Sequence, residues 1–259
     1  MHRYFIIFAY DGTNYHGWQI QPNGNSVQAE LQHALALSLR SFLLLKSNDF
    51  EIEVVGAGRT DAGVHARQMA AHFELSEKEF PLLDESKCKQ IVYRINRILP
   101  RDISVSDVYH VKSDMHARFS AKWRTYHYYI HTDKNPFLRF YSLETHYPLD
   151  FDLMNEGGKI IMQHQDFAAF CKAGADNKTT LCDVTECKWV QTSPTSWYLT
   201  ITANRFLRNM VRAVVGTLFL LGRHKITLDD LRVILHEGNR SRAGESMPGN
   251  ALFLEKVEY

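Results

Sequence analysis

Hydrophobic and polar positions change period several times along this chain, and each change marks an element. Residues 3–10, RYFIIFAY, are aromatic and β-branched and predict a strand. After the loop DGTNYHGWQIQPNGN, Ser26 stands as an N-cap. Val27, Leu31, Leu35 and Leu39 follow at four-residue spacing, and Ala34 and Phe42 widen that line into a core-facing stripe. EIEVVGA (51–57) and RQMAAHFEL (67–75) alternate apolar with polar and predict two further strands. From Asp84, the residues Cys88, Ile91, Val92, Ile95, Ile98 and Leu99 repeat with helical period until Pro100, and DISVSDVYHV (102–111) closes the series as a strand. The order β-α-β-β-α-β is that of the ferredoxin-like, split-βαβ motif.

The remaining residues give nearly the same order. RFSAKWRTYHYYIHT (118–132) reads as a long strand and DFDLMNEGGKIIMQ (150–163) as a helix. Strands TTLCDVTECKWVQT (179–192) and SWYLTITAN (196–204) flank the turn Ser193-Pro194-Thr195. A strong helix runs from about Phe206 to Leu221, a short one from Leu228 to His236, and ALFLEKVEY (251–259) makes a last strand. The halves share element order but no residue-level repeat. The expected fold is α+β: two ferredoxin-like halves, residues 1–112 and 113–259, with adjoining antiparallel sheets and a cleft along the junction. No low-complexity linker separates them, so packed halves are expected.

Bulk properties narrow the class. With 259 residues, 45% hydrophobic and 23% charged, the chain is an ordinary globular sequence. Its most apolar run, VVGTLFLLG (214–222), falls short of the ~20 residues that span a bilayer. RYFIIFAYDG is broken by Asp11 and resembles no export signal. Four scattered cysteines make no disulfide framework, so a reducing cytoplasm is the expected setting. The 13 histidines show no metal-ligand spacing and Cys182 and Cys187 lack a partner pair, so no metal is expected. A net charge of +1 leaves room for a nucleic-acid binder only if its cations gather on one face.

Three stretches carry candidate chemistry. In GAGRTDAGVHAR (56–67) a charged pair lies among Gly56, Gly58 and Gly63. Asp-Ala-Gly suits a tight turn. Alternatively, Arg59 and Asp61 point the same way in an extended segment, and the guanidinium favours the ionised carboxylate. Such a carboxylate can act as nucleophile or proton acceptor. An exposed ion pair alone contributes ~1 kcal/mol or less, a weak reason to place one in a hairpin. In NRFLRNMVRAVVGTL (204–218), Phe206, Met210, Val214 and Leu218 form one stripe and Arg205, Arg208 and Arg212 another. The arginines fit either a solvated helix face or a phosphate-binding one. In ARFSAKWRTYHYYI, Arg118, Ser120, Lys122, Arg124, Tyr126 and Tyr128 share a strand parity. They form either an exposed basic face or a surface where RNA phosphates meet cations and bases stack on rings.

Taken in order, YDGTNYHGWQ, SVQ, GAGRTDAGVHA, LP-RDI, HARFSA, RTYHY and NRFLRNMVRAVVGTL resemble the motif series of the TruA-type tRNA pseudouridine synthases over nearly the whole chain. The resemblance implies ferredoxin-like α+β domains, a homodimer, no cofactor, and a tRNA substrate modified on the 3′ side of the anticodon stem-loop. It implies that Asp61 is the catalytic aspartate, Arg212 its arginine partner and Tyr126 the active-site tyrosine, with Arg59 handling RNA. Beside them, Arg118, Lys122, Arg124, Arg205 and Arg208 are the candidate RNA-binding cations. Three departures stand out: Gln68-Met69 where the family has Gly-Gln, Ala251-Leu-Phe-Leu for Gly-Leu-x-Leu, and ESMPGN in place of an alanine- and proline-rich approach. The run SFLLLKSND (41–49) is also unusually apolar for its place. A non-catalytic RNA-binding module would leave Asp61 without a role. A metal-dependent nuclease would need clustered carboxylates, whereas no acidic residue follows Asp61 until Glu74.

Overall fold

The computed structural model describes residues 1–22, 24–43, 50–77, 82–172, 174 and 178–259, so most of the run 41–49 lies outside the described residues. The fold is mixed α+β with mostly antiparallel pairing, and the chain forms two compact units.

The first unit comprises Met1–Ala121 with Glu255–Tyr259. Its elements are β1 (His2–Tyr10), α1 (Val27–Phe42), β2 (Val55–Gly56), β3 (His65–Leu75), α2 (Glu85–Ile98) and β4 (Ile103–Val111). β1 lies antiparallel between β4 and β3, and β2 also pairs with β3. Both helices start where the sequence marks them. Ser26 accepts the Ala29 N–H and Asp84 that of Lys87, each satisfying an otherwise orphan donor. The stripe on α1 buries Val27, Leu31, Ala34, Leu35 and Leu39, whereas Ile98 at the end of α2 is exposed.

The expected strand 51–57 shrinks to Val55–Gly56. Ile52 and Val54 are buried, but the Val54 backbone bonds side chains rather than a neighbouring strand. Its N–H donates to Gln32 Oε1 at 3.1 Å, and its carbonyl accepts from Gln28 Nε2 at 2.8 Å. β3 starts at His65, and a bulge against β1 leaves Arg67 and Gln68 exposed.

The second unit, Lys122–Leu254, contains β5 (Trp123–His131), β6 (Leu143–Glu144), α3 (Phe151–Met162), β7 (Val184–Ser193), β8 (Ser196–Ala203), α4 (Met210–Gly222) and α5 (Leu228–Glu237). A last strand, β9 (Leu252–Glu258), begins in this unit and ends in the first. β8 runs antiparallel between β5 and β7, and β6 adds a short parallel pairing to β5.

Two expectations need correction here. Residues 118–122 form a turn, so Arg118, Ser120 and Lys122 do not share a strand face with Arg124 and Tyr126. The helix expected from Phe206 begins at Met210, because Asn209 takes a left-handed conformation with φ of 69°. Arg205 and Arg208 therefore precede α4 and form no helical stripe with Arg212. Nor is α4 a surface helix: Met210, Val211, every residue from Ala213 to Phe219, Leu221 and Gly222 are all buried. Among the described residues, no helix is long and apolar enough to cross a membrane.

Candidate active site

The loop carrying Asp61 is held by the segment that follows β1. Beyond β2, the Ala57 N–H donates to the Ala70 carbonyl at 2.8 Å, and the chain then leaves the strand. The Trp18 N–H donates to the Thr60 carbonyl at 3.3 Å, and the Gly63 N–H to that of Tyr15 at 3.3 Å. The Tyr10 hydroxyl meets Thr60 Oγ1 at 2.9 Å. A turn closes when the Val64 N–H bonds the Asp61 carbonyl at 3.2 Å, with Gly63 at φ of 74°.

Gly17 is the tight point of this assembly. Its φ is 102°, and a Cβ there would lie 2.4 Å from the Thr60 carbonyl oxygen and 3.1 Å from the Asp61 carbonyl carbon. Only glycine lets the two backbones approach so closely. The Trp18 ring is buried and lies 5.4 Å from that of Phe8, which fixes this approach to the core. His65 Nδ1 lies 3.0 Å from Asp11 Oδ1 and 3.0 Å from the Gly12 nitrogen, tying the start of β3 to the end of β1. The Tyr15 hydroxyl donates to Asp102 Oδ1 at 2.7 Å; burial, and then this carboxylate, push the Tyr15 pKa up. YDGTNYHGWQ, GAGRTDAGVHA and the Asp102 turn are thus one structure in the first unit. Asp61 sits half-buried between backbone bonds on either side, and Arg59 is exposed.

Arg118 and Lys122 are exposed on the turn before β5, with the Arg118 guanidinium 5.6 Å from the Phe119 ring centre. In the second unit, Tyr126 on β5 is half-buried and meets the Phe206 ring edge-on at 5.1 Å. Arg124 Nη1 donates to the Asn204 carbonyl at 2.7 Å. Tyr128, expected on an RNA-facing surface, is instead fully buried. Its hydroxyl donates to the Pro248 carbonyl at 3.0 Å, and burial raises its pKa. A residue of the same strand parity has become core because β5 is covered at that point. Arg205 is half-buried and Arg208 exposed.

Arg212 lies in the first turn of α4. Its Nε donates to the Met247 carbonyl, and the Met247 N–H returns a bond to the Arg212 carbonyl at 3.2 Å. ESMPGN, a departure without a role in the sequence, therefore packs on the start of α4. Periodicity holds no signal for this, because the contact joins irregular backbone to a helix end more than 30 residues away.

Residues 164–259 match the model of a family described as tRNA pseudouridine synthase. A Bacteroides fragilis protein named tRNA pseudouridine synthase A is 52% identical, the match covering 99% of this chain and 96% of the relative. Proteins of the same name from Bacteroides thetaiotaomicron and Bacillus subtilis are 49% and 36% identical, over 100% and 97% of this chain and 91% and 96% of their own. The chain belongs to the tRNA pseudouridine synthase A family.

Proposed function

We propose that this protein isomerises uridine to pseudouridine in tRNA, with Asp61 as the carboxylate that acts on the target nucleotide, and that it needs neither metal nor cofactor. The observation that carries the assignment is the half-buried Asp61 on a loop whose backbone is bonded on both sides of it. A reacting carboxylate needs such a fixed position, because catalytic efficiency falls steeply with small misplacement. Whole-length likeness to proteins named tRNA pseudouridine synthase A supports the substrate.

The reaction breaks the N1–C1′ bond, turns the uracil and joins C5 to C1′; the proton lost from C5 is balanced by one gained at N1. Substrate and product are isomers, so no external group or electron is consumed. Attack at C1′, attack on the base and removal of the 2′ proton all call on an ionised carboxylate. Tyr126 serves the same reaction as the active-site ring, and Arg212 as the cation that favours the ionised form. Extruding the base from its stack costs a few kcal/mol. Phosphate contacts from Arg59, Arg118, Lys122, Arg205 and Arg208, with Arg124 beside them, offset that cost.

The finer reading follows the family resemblance: two ferredoxin-like halves, 1–112 and 113–259, with adjoining sheets and a cleft, in a cytoplasmic homodimer acting on the anticodon stem-loop. The neighbour relations β4-β1-β3-β2 in the first unit support the ferredoxin-like part of it. Asp61→Asn keeps the side chain's size and removes its charge. It is expected to lower pseudouridine formation on unmodified tRNA by at least about a hundredfold while tRNA binding persists. Full turnover by a folded Asp61→Asn protein overturns the assignment. Mapping pseudouridines in tRNA from a deletion strain tests the anticodon stem-loop target.

A further inference from the structure

We infer that residues 243–248 form a strap whose function is to orient Arg212, and that Asn209, Arg240 and Ser246 are positioning residues for the reaction. The inference rests on the role of Arg212 proposed above. The strap meets the chain at several points, all within the second unit. Arg240 is half-buried and, among the described residues, its guanidinium makes no ion pair. Its Nη1 donates to the Gly244 carbonyl at 2.8 Å and its Nη2 to Ser246 Oγ at 2.9 Å. Ser246 Oγ accepts a second bond from Asn209 Nδ2. The Gly244 N–H donates to Thr217 Oγ1 at 2.8 Å, and Tyr128 holds the Pro248 carbonyl at 3.0 Å. Between these points Met247 exchanges bonds with Arg212, its carbonyl receiving Nε and its N–H reaching the Arg212 carbonyl.

Two features show that this is more than ordinary packing. Asn209 occupies the N-cap position of α4, where an asparagine would normally accept a helix N–H. Its side chain makes no capping bond and bonds Ser246 instead, from a left-handed backbone that only glycine and asparagine adopt readily. Gly216, one turn beyond Arg212, has no room for a Cβ, which would lie 1.9 Å from the Glu245 carbonyl oxygen. The strap therefore lies directly on the helix that carries Arg212. Nε lies in the guanidinium plane, so a bond held at Nε orients that plane. A bidentate partner requires that planar fork geometry.

The test is a double-mutant cycle on the full-length enzyme, with pseudouridine formation under tRNA saturation and tRNA affinity measured separately. Ser246→Ala removes the acceptor shared by Asn209 and Arg240. It is expected to lower kcat about tenfold with tRNA affinity within about twofold, the size of effect one lost hydrogen bond produces. Ser246→Thr keeps the oxygen and is expected to restore turnover. Asn209→Gly keeps the left-handed backbone and is expected to match Ser246→Ala. In an Arg212→Lys background, which lacks Nε, Ser246→Ala is expected to cost nothing further. A general loss of stability would instead act equally in both backgrounds. If Arg212→Lys is slow and the two effects multiply, the strap does not act through Arg212 and the inference is overturned. Unchanged kcat for Ser246→Ala also overturns it. Full turnover by Arg212→Lys overturns the role of Arg212, and the strap inference with it.

Discussion

His72 Nδ1 accepts the Ala117 N–H at 3.2 Å, and His116 Nδ1 accepts those of Arg118 and Phe119 at 3.1 and 3.3 Å. The two rings meet edge-on at 4.6 Å. An imidazole protonated at Nδ1 cannot accept, so both act here in the neutral form. Burial, followed by His116 and Arg3, lowers the His72 pKa from 6.5 to about 4 against the opposing pull of Glu74. The unfolded chain therefore takes up this proton near pH 6.5 while the folded chain resists until about pH 4. The stabilising contribution is complete above pH 6.5 and is lost as pH falls through that window. Thermal melts from pH 7 to pH 4 should show a shallower decline for His72→Asn, which accepts the same N–H without titrating; parallel curves would contradict it.

Among the elements, α1 is legible from its apolar stripe and the Ser26 cap, and α2 from a stripe that starts after Asp84 and stops at Pro100. The β2 region is not, because the Gln28 and Gln32 side chains take over the backbone groups that a strand partner would have filled. The start of α4 is not legible for a related reason: a left-handed Asn209 leaves no trace in apolar periodicity. The Asp61 loop depends on an element contact as well. Gly17→Ala puts a methyl group 2.4 Å from the Thr60 carbonyl oxygen at a residue with positive φ. The expected cost is about 2 kcal/mol or more in urea unfolding, from strain and overpacking together. Turnover should fall further than stability explains, because the displaced backbone is that of the residue before Asp61. A variant that unfolds at the wild-type midpoint would contradict this.

At the scale of the molecule, residues far apart in sequence complete each unit. Glu255–Tyr259 belong to the first unit, where Arg67 Nε bonds Glu255 at 3.0 Å. The Tyr259 hydroxyl donates to the Ala117 carbonyl at 2.7 Å, and its ring meets Phe5 edge-on at 4.9 Å. Tyr259→Ala should destabilise the protein by about 2 kcal/mol, the combined size of a hydrogen bond and an aromatic pair. The loss should appear in the unfolding midpoint and in faster proteolysis near residue 117; no change in either would count against the contact's importance.

Element types, most helix starts, the glycine-rich loop with its aspartate, and the family likeness could all be taken from the amino-acid sequence, because local periodicity, capping chemistry and residue order carry them. Where Tyr128 points, where α4 begins, what holds Thr60 and Asp61 in place, and what ESMPGN does depend on packing between distant segments. Strand parity limits a side chain to one of two faces, but only the neighbouring elements decide which face is covered. A backbone group can likewise be satisfied by any donor or acceptor that the folded chain brings within about 3 Å, and sequence neighbours do not specify which one that will be.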